Sequence, residues 1–225
     1  MTERKIPLLC ITGPTASGKS ALAVRLAQLL GGEVVSCDSM QIYRGMDIGT
    51  AKPTEAEMCG VPHHMIDIVA PSEDYSCGRY ADEAAKVIKD IASRGALPIV
   101  CGGTGLYLDS LITATEHADA PSDPAMREEL LARDAQSLYD ELSEIDAESA
   151  AAIHPNNKRR VARAIEIYRI TGRTKSEWDR RSHDTPSPYD ASVVALGYLD
   201  RELLYRRIRM RVDEMFDRGL CDEVC

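Results

Sequence analysis

Residues 11–23 read ITGPTASGKSALA, and the order of residue types in that stretch selects the fold. Gly13, Pro14, Thr15, Ala16, Ser17, Gly18, Lys19 and Ser20 form the pattern G-x-x-x-x-G-K-S. A continuous apolar run, IPLLCIT (6–12), precedes it, and SALAVRLAQLL (20–30), with apolar residues at helical spacing, follows. Strand, glycine-rich turn and helix in that order are the context a phosphate-binding loop requires. The glycines let successive backbone N–H groups turn toward an anion, and the helix N-terminus adds partial positive charge. Lys19 can then reach a terminal phosphate, and the Ser20 hydroxyl can ligate Mg²⁺. The alternative is a chance glycine-rich turn.

Outward from the loop, strand-like and helix-like segments alternate. EVVSC (33–37) reads as a second short strand, HMIDIV (64–69) as another, and LPIVC (97–101) as a buried strand running into GGTG. GRYADEAAKVIKDIASRG (78–95) reads as a helix with Ala81, Ala84, Ala85, Ile88 and Ile91 on one side and Gly95 ending it. Such alternation predicts an α/β fold, a parallel sheet with crossover helices. From about residue 113 the chain becomes charged and helical, interrupted by Pro121, Pro124, Pro155, Pro186 and Pro188. ASVVALGYL (191–199) returns to strand character, and RELLYRRIRMRVDEMFDRG (201–219) reads as a final helix. The expected organisation is a P-loop core over 1–113, a mostly helical insertion domain over 114–190, and a return to the core over 191–225.

The 225 residues suffice for one α/β domain with an insert, and a hydrophobic fraction of 44% argues for a packed core. No run approaches the ~20 apolar residues of a membrane helix, and MTERKIPLLCITG is too short and too charged for a signal peptide. Seven cysteines, at 10, 37, 59, 77, 101, 221 and 225, include no CxxC pair, and three lie in apolar strand-like runs. Reduced buried thiols in a cytoplasmic protein are the expectation. The formal net charge of −9 argues mildly against a nucleic-acid partner, but the charge is uneven. Lys158 to Arg181 holds nine Lys or Arg against Glu166, Glu177 and Asp179, a local +6 that leaves −15 for the rest.

A phosphate loop reports a di- or triphosphate and not a reaction. A phosphotransferase would hold Mg²⁺ with an Asp after an apolar strand. LPIVC instead runs straight into Gly102-Gly103, and Asp67 inside HMIDIV is a weak substitute. Asp38 ends the EVVSC strand, where an open α/β sheet places its ligand crevice. On these residues alone, a general base and a turn or N-cap Asp are equally good readings of Asp38.

GPTASGKS, DSMQIYRGMDIGTAKP, PHHMIDI, GGTGLY and HPNNKRRVARAIEIY, in this order, resemble the tRNA dimethylallyltransferase (tRNA isopentenyltransferase) family through essentially the whole chain. The resemblance implies a P-loop, kinase-like α/β core with a helical insertion domain. It implies that the loop, from Gly13 to Ser20, holds the diphosphate of dimethylallyl diphosphate, with Thr15 as a contact and Mg²⁺ as cofactor. The prenyl group would pass to N6 of the adenosine just 3′ of a tRNA anticodon. Asp38 would be the base, Ser39, Met40 and Gln41 would line the adenosine site, and Thr104 would sit beside the target nucleotide. Thr104 also suits a helix N-cap. An exocyclic adenine amine is a poor nucleophile, so a carboxylate that takes its proton has a clear purpose. Rival readings are a small-molecule P-loop kinase that binds ATP, an adenylate isopentenyltransferase, and a non-catalytic RNA-binding module. Members of the family usually continue beyond a residue such as Cys225, so the chain reads as a fragment; a monomer is expected.

On a helical wheel, Arg159, Arg160 and Arg163 share one face of KRRVARAIEIY, and Val161, Ile165 and Tyr168 the opposite one. Opposite-sign neighbours are nearly absent from that face, which suits phosphate binding; an ordinary solvated face is the alternative. The resemblance makes this segment, with Val161 and Ala162, a contact for the tRNA anticodon stem-loop, and adds Arg127. In the last helix Arg211 falls on the apolar stripe of Leu204, Ile208 and Met215, while Arg206 and Arg209 point away. A buried-face arginine needs an anion; the resemblance supplies the diphosphate, and a snorkelling Arg is the alternative. His63-His64 with Asp67 offers little to a metal, since adjacent strand residues point to opposite faces. Trp178 reads as insert core.

Overall fold

The computed structural model describes residues 5–113, 122–184 and 186–225; the lead-in 1–4 and Pro121 lie outside them. The described residues fall into two compact units, within Met1–Ile112 plus Ser187–Cys225 and within Thr113–Pro186.

The first unit is built on a wholly parallel sheet of β1 (Ile6–Thr12), β2 (Gly32–Ser36), β3 (His63–His64), β4 (Leu97–Cys101) and β5 (Tyr189–Ala195), ordered β3-β2-β4-β1-β5. The strands β1 and β4, and Val34-Val35 of β2, are apolar on both faces because helices cover both. On one face Leu8, Cys10, Val35 and Val100 pack against Tyr80, Ala84, Ile88 and Ile91 of α3 (Cys77–Ser93) and Tyr107, Leu108 and Leu111 of α4 (Gly105–Ile112). On the other, Ile11, Val34 and Ile99 pack against Ala23, Val24 and Ala27 of α1 (Lys19–Leu30). The residues of α3 with the deepest burial are Tyr80, Ala84, Ile88 and Ile91; Ala81 and Ala85 are only half-buried, so the true face is rotated from the expected one. Burial pushes the thiols of Cys10, Cys37 and Cys101 up to about 11, 12 and 11, which keeps them protonated and inert.

HMIDIV does not form one strand. His63–His64 pair with β2, then Met65 and Asp67 adopt φ of 61° and 56°, left-handed values that break an extended run. Residues 67–69 turn instead onto the segment after β2: Asp67 N donates to Gln41 O, Ile68 N to Ile42 O, and Tyr43 bridges Val69.

A short helix, α2 (Glu55–Met58), closes that segment, with Thr54 and Glu57 forming a reciprocal cap. α10 (Arg201–Asp217) and α11 (Leu220–Val224) end the chain.

The second unit is helical: α5 (Pro124–Ala132), α6 (Ala135–Ile145), α7 (Ala147–Ala152), α8 (Lys158–Thr171) and α9 (Lys175–Asp184). Asp123, Asp134, Asp146 and Asn157 each accept backbone N–H groups at the start of one of the first four. Leu130, Leu138, Leu142, Val161, Ala162 and Ile165 form its core.

Candidate active site

The C-terminal ends of β1, β2 and β4 bring the phosphate loop, Asp38 and the GGTG turn together, as expected of a crevice at the carboxyl edge of a parallel sheet. Gly102 is what lets β2 and β4 end side by side. A Cβ there would sit 1.9 Å from the carbonyl oxygen of Cys37, closer than any side chain can stand.

In the loop itself, Gly13, Ala16 and Gly18 have φ of 145°, 61° and 91°. A Cβ on Gly13 would meet the Leu196 carbonyl at 2.6 Å. The Pro14 carbonyl accepts from Ser17 N at 3.3 Å and from the Lys19 ammonium at 2.8 Å. The Ser17 hydroxyl is buried and, among the described residues, unpartnered, a donor turned into the loop where an anion would satisfy it. Burial lowers the Lys19 pKa below its usual range; Arg211 pushes the same way, and Cys101 and Asp38 oppose, so Lys19 feels both Arg211 and Asp38.

Two cavities open here. One of about 520 Å³ is lined by Ala16 to Ser20, by Val24, by Lys52 and Glu57, by one side of α10 (Arg207, Met210, Arg211, Glu214 and Met215) and by Arg218, which caps that helix. Lys19, Arg207, Arg211 and Arg218 outnumber Glu57 and Glu214 on its walls, a balance suited to a polyanion. The other, of about 660 Å³, contains Thr15, Asp38 and Arg44 among apolar Met40, Met46, Ile208, Val212, Met215 and Leu220. Arg211 and Met215 belong to both. Along α10, Leu204, Ile208, Arg211 and Met215 are the half-buried positions; none of its residues is fully buried, so the expected buried face is a half-open cavity wall.

Asp38 takes the turn role that the sequence offered, and it also faces a cavity. Its Oδ1 accepts Met40 N–H at 2.9 Å, a turn of the Asx kind, and it lines the larger cavity. Ser39 N donates to Thr104 Oγ1 at 3.0 Å, and Thr104 Oγ1 lies 3.3 Å from the Ser39 hydroxyl. The Thr104 hydroxyl thus ties the GGTG turn to the Asp38 segment, while the Thr104 carbonyl accepts from Tyr107 and Leu108 N at the start of α4. Gln41 is committed to the fold. Its amide accepts from Ser36 Oγ and donates to the carbonyls of Thr50 and Ala51, so it braces the segment from within.

Asp67, the weak candidate for a kinase-type metal ligand, is bound to Lys52. His63 Nδ1 lies 2.8 Å from the Val61 carbonyl and His64 Nε2 2.7 Å from Glu33. No group of three or more His, Cys, Asp or Glu among the described residues could hold a metal.

The second unit holds the remaining candidates. Arg159 and Arg160 are exposed on α8. Arg163 is not on an unopposed basic face: it and Arg127 both bind the fully buried carboxylate of Glu166, at 2.9 Å each. Val161 and Ala162, implied as tRNA contacts, are fully buried, so their side chains serve the core of this unit. Tyr168, placed on the apolar face by the wheel, is exposed, and Trp178 is half-buried, 3.4 Å from the Thr171 hydroxyl.

Four residues of the first unit escaped the sequence reading. Arg207 lies one turn before Arg211, an i, i+4 spacing that could have found it. Lys52 stands in DSMQIYRGMDIGTAKP, and Arg218 and Glu223 near the C-terminus carry no local signal.

Residues 41–225 match the model of the IPP transferase family, and residues 6–70 that of isopentenyl transferase. The chain belongs to the IPP transferase family. A tRNA dimethylallyltransferase of Halalkalibacterium halodurans is 51% identical over 223 residues, covering 97% of this chain and 71% of that protein. One from Pelotomaculum thermopropionicum is 50% identical, covering 99% and 71%. The full-length tRNA isopentenylpyrophosphate transferase of Bacillus halodurans superposes with a TM-score of 0.65 at 48% identity, over 97% of this chain and 69% of that one. A eukaryotic dimethylallyltransferase acting on tRNA gives a TM-score of 0.82 at 36% identity, over 97% and 55%. The fold is that of this family, a P-loop NTPase-like α/β core.

Proposed function

We propose that this chain is a tRNA dimethylallyltransferase that moves the five-carbon group of dimethylallyl diphosphate to N6 of the adenosine 3′ of the anticodon, releasing diphosphate. The observation that carries the reading is the pair of cavities sharing Arg211: a basic one at the phosphate loop and a largely apolar one at Asp38. In this reading the diphosphate occupies the first and the prenyl group reaches toward the second, where the adenine would lie beside Met40 and Met46; Arg211 and Met215, common to both cavities, support that path.

In this reading the Asp38 carboxylate takes the N6 proton as nitrogen attacks C1 of the prenyl group. The Met40 N–H occupies one carboxylate oxygen, and a carboxylate retains further lone pairs to accept that proton. The C1–O bond breaks, and the electron pair leaves with the diphosphate. Lys19, Arg211 and the loop N–H groups stabilise the charge that grows there. Thr104 and Ser39 hold the segment carrying Asp38 in register with the GGTG turn. Ser20, exposed on the cavity wall, offers a hard hydroxyl oxygen suited to Mg²⁺, whose other ligands would be diphosphate and water. Mg²⁺ there would supply charge neutralisation to the leaving group.

The exposed Arg159 and Arg160 on the second unit support a polynucleotide acceptor over a free nucleotide. The kinase reading is disfavoured because β4 ends at Cys101 without an Asp and Asp67 is engaged by Lys52. No helix among the described residues is long and apolar enough to cross a membrane, and a tRNA acceptor suits the cytoplasm.

The test is incubation with Mg²⁺, dimethylallyl diphosphate and an anticodon stem-loop carrying A-A-A 3′ of a uridine, with a parallel arm of ATP and the same RNA. Mass spectrometry should find one prenyl group added to the RNA and no ATP consumed. ATP turnover without a prenylated product would replace this reading with the kinase.

A further inference from the structure

Glu223, in α11, reaches back across the chain. Its Oε2 accepts Asp47 N–H at 2.7 Å and Ile48 N–H at 2.6 Å, and its Oε1 accepts Gly49 N–H at 2.8 Å. Three consecutive backbone N–H groups converging on one point form an anion-binding nest. Here a carboxylate 174 residues away in sequence occupies it. The contact is also closely packed: a Cβ on Gly49 would stand 3.1 Å from Leu220 Cδ1 and 3.4 Å from Glu223 Oε1. Burial would raise the Glu223 pKa, but the N–H groups of Gly49, Ile48 and Asp47 outweigh it and hold the carboxyl below its ordinary range.

The held segment is functional ground. Gly49, Thr50 and Glu223 itself line the cavity that contains Asp38. The far side of the segment is fixed separately, by the buried Lys52 ammonium on Tyr43 O, Asp47 and Asp67. The carbonyls of Asp47 and Ile48 accept from Lys52 N and Ala51 N, and the N–H groups of 47–49 are held by Glu223.

We propose that Glu223 is a positioning residue for the acceptor cavity: by gathering the 47–49 N–H groups it fixes the wall against which the target nucleotide seats. This rests on the transferase reading above. It concerns the acceptor and not the diphosphate, because Gly49 and Glu223 line the larger cavity and neither they nor Asp47 and Ile48 line the basic one.

The experiment compares the full chain with Glu223→Ala and Glu223→Gln by hydrogen exchange and by steady-state kinetics. In Glu223→Ala the amides of 47–49 should exchange faster, and the KM for the stem-loop should rise about tenfold while that for dimethylallyl diphosphate changes by less than about twofold. Glu223→Gln keeps one acceptor oxygen and should fall between. Unchanged exchange at 47–49 overturns the proposal. So does an equal rise in both KM values with a lowered Tm, the mark of a merely structural role. A wild-type chain that transfers no prenyl group overturns the acceptor role together with the transferase reading; the exchange data then decide the clamp alone.

Discussion

The Arg207 guanidinium donates through Nε to the Ala16 carbonyl at 2.9 Å, joining α10 to the phosphate loop across 191 residues. Ala16 is the loop's left-handed, non-glycine residue, so the bond restrains the turn at its most strained point. Arg207→Ala should raise the KM for dimethylallyl diphosphate about five- to tenfold, with a smaller effect on the KM for RNA. Arg207→Lys should recover part of the loss. Initial-rate kinetics with each substrate varied in turn make the comparison; equal effects on both KM values would contradict it.

Asp38→Asn should leave diphosphate affinity unchanged by calorimetry while kcat falls by ~10²–10⁴, the share of a general base. The amide can still accept the Met40 N–H, so the turn survives the change. An unaltered kcat would remove Asp38 from the chemistry.

Glu166 gathers Arg127, Arg163 and the Asp123 N–H around one fully buried carboxylate. Burial would raise its pKa, and Arg163, Asp123 N–H and Arg127 reverse that and hold it low. Glu166→Gln should cost the second unit about 1–3 kcal/mol. That is below the ~3–5 kcal/mol of a wholly buried pair, because both arginines keep contact with water. Trp178, the only tryptophan, lies in this unit, and its fluorescence in urea reads the transition.

At the opposite end of the sheet from the site, Glu33 meets Arg94 and His64. The Arg94 guanidinium is the main cause that holds the Glu33 carboxyl at about 2, with His64 helping against burial. A depressed carboxyl stabilises the fold above its unfolded pKa, near 4.5, and loses that contribution as pH falls toward about 2. The stability gap between wild type and Glu33→Gln should therefore be full at pH 6 and shrink steadily below about 4.5. Urea midpoints across that range measure it; a gap independent of pH would refute the assignment.

The sheet was legible because β1 and β4 are buried on both faces and read as continuous, mostly apolar runs, with the shorter Val34-Val35 of β2 beside β4 in the sheet. The phosphate loop was legible because its glycines are set by backbone need at Gly13 and Gly18. HMIDIV misled because it is a short, mostly apolar run like that of a strand, while Met65 and Asp67 turn left-handed and Asp67 and Ile68 meet Gln41 and Ile42, 26 residues upstream. The arginine wheel of α8 separated polar from apolar faces correctly at Arg159 and Val161 but could not show that Arg163 answers to a buried acid. Lys52 and Glu223 were missed for one reason: each is defined by partners remote in sequence, and neither disturbs any local pattern.

Lys52 spends its ammonium protons on the Tyr43 carbonyl at 2.5 Å, on Asp47 at 2.7 Å and on Asp67, with its side chain 6% exposed. A side chain this buried and this fully hydrogen-bonded is closed to a bulky reagent. Acylating labels should therefore mark solvent-facing lysines and pass over Lys52 while the segment is closed. Its slow acquisition of label would be a built-in clock for how often that segment opens.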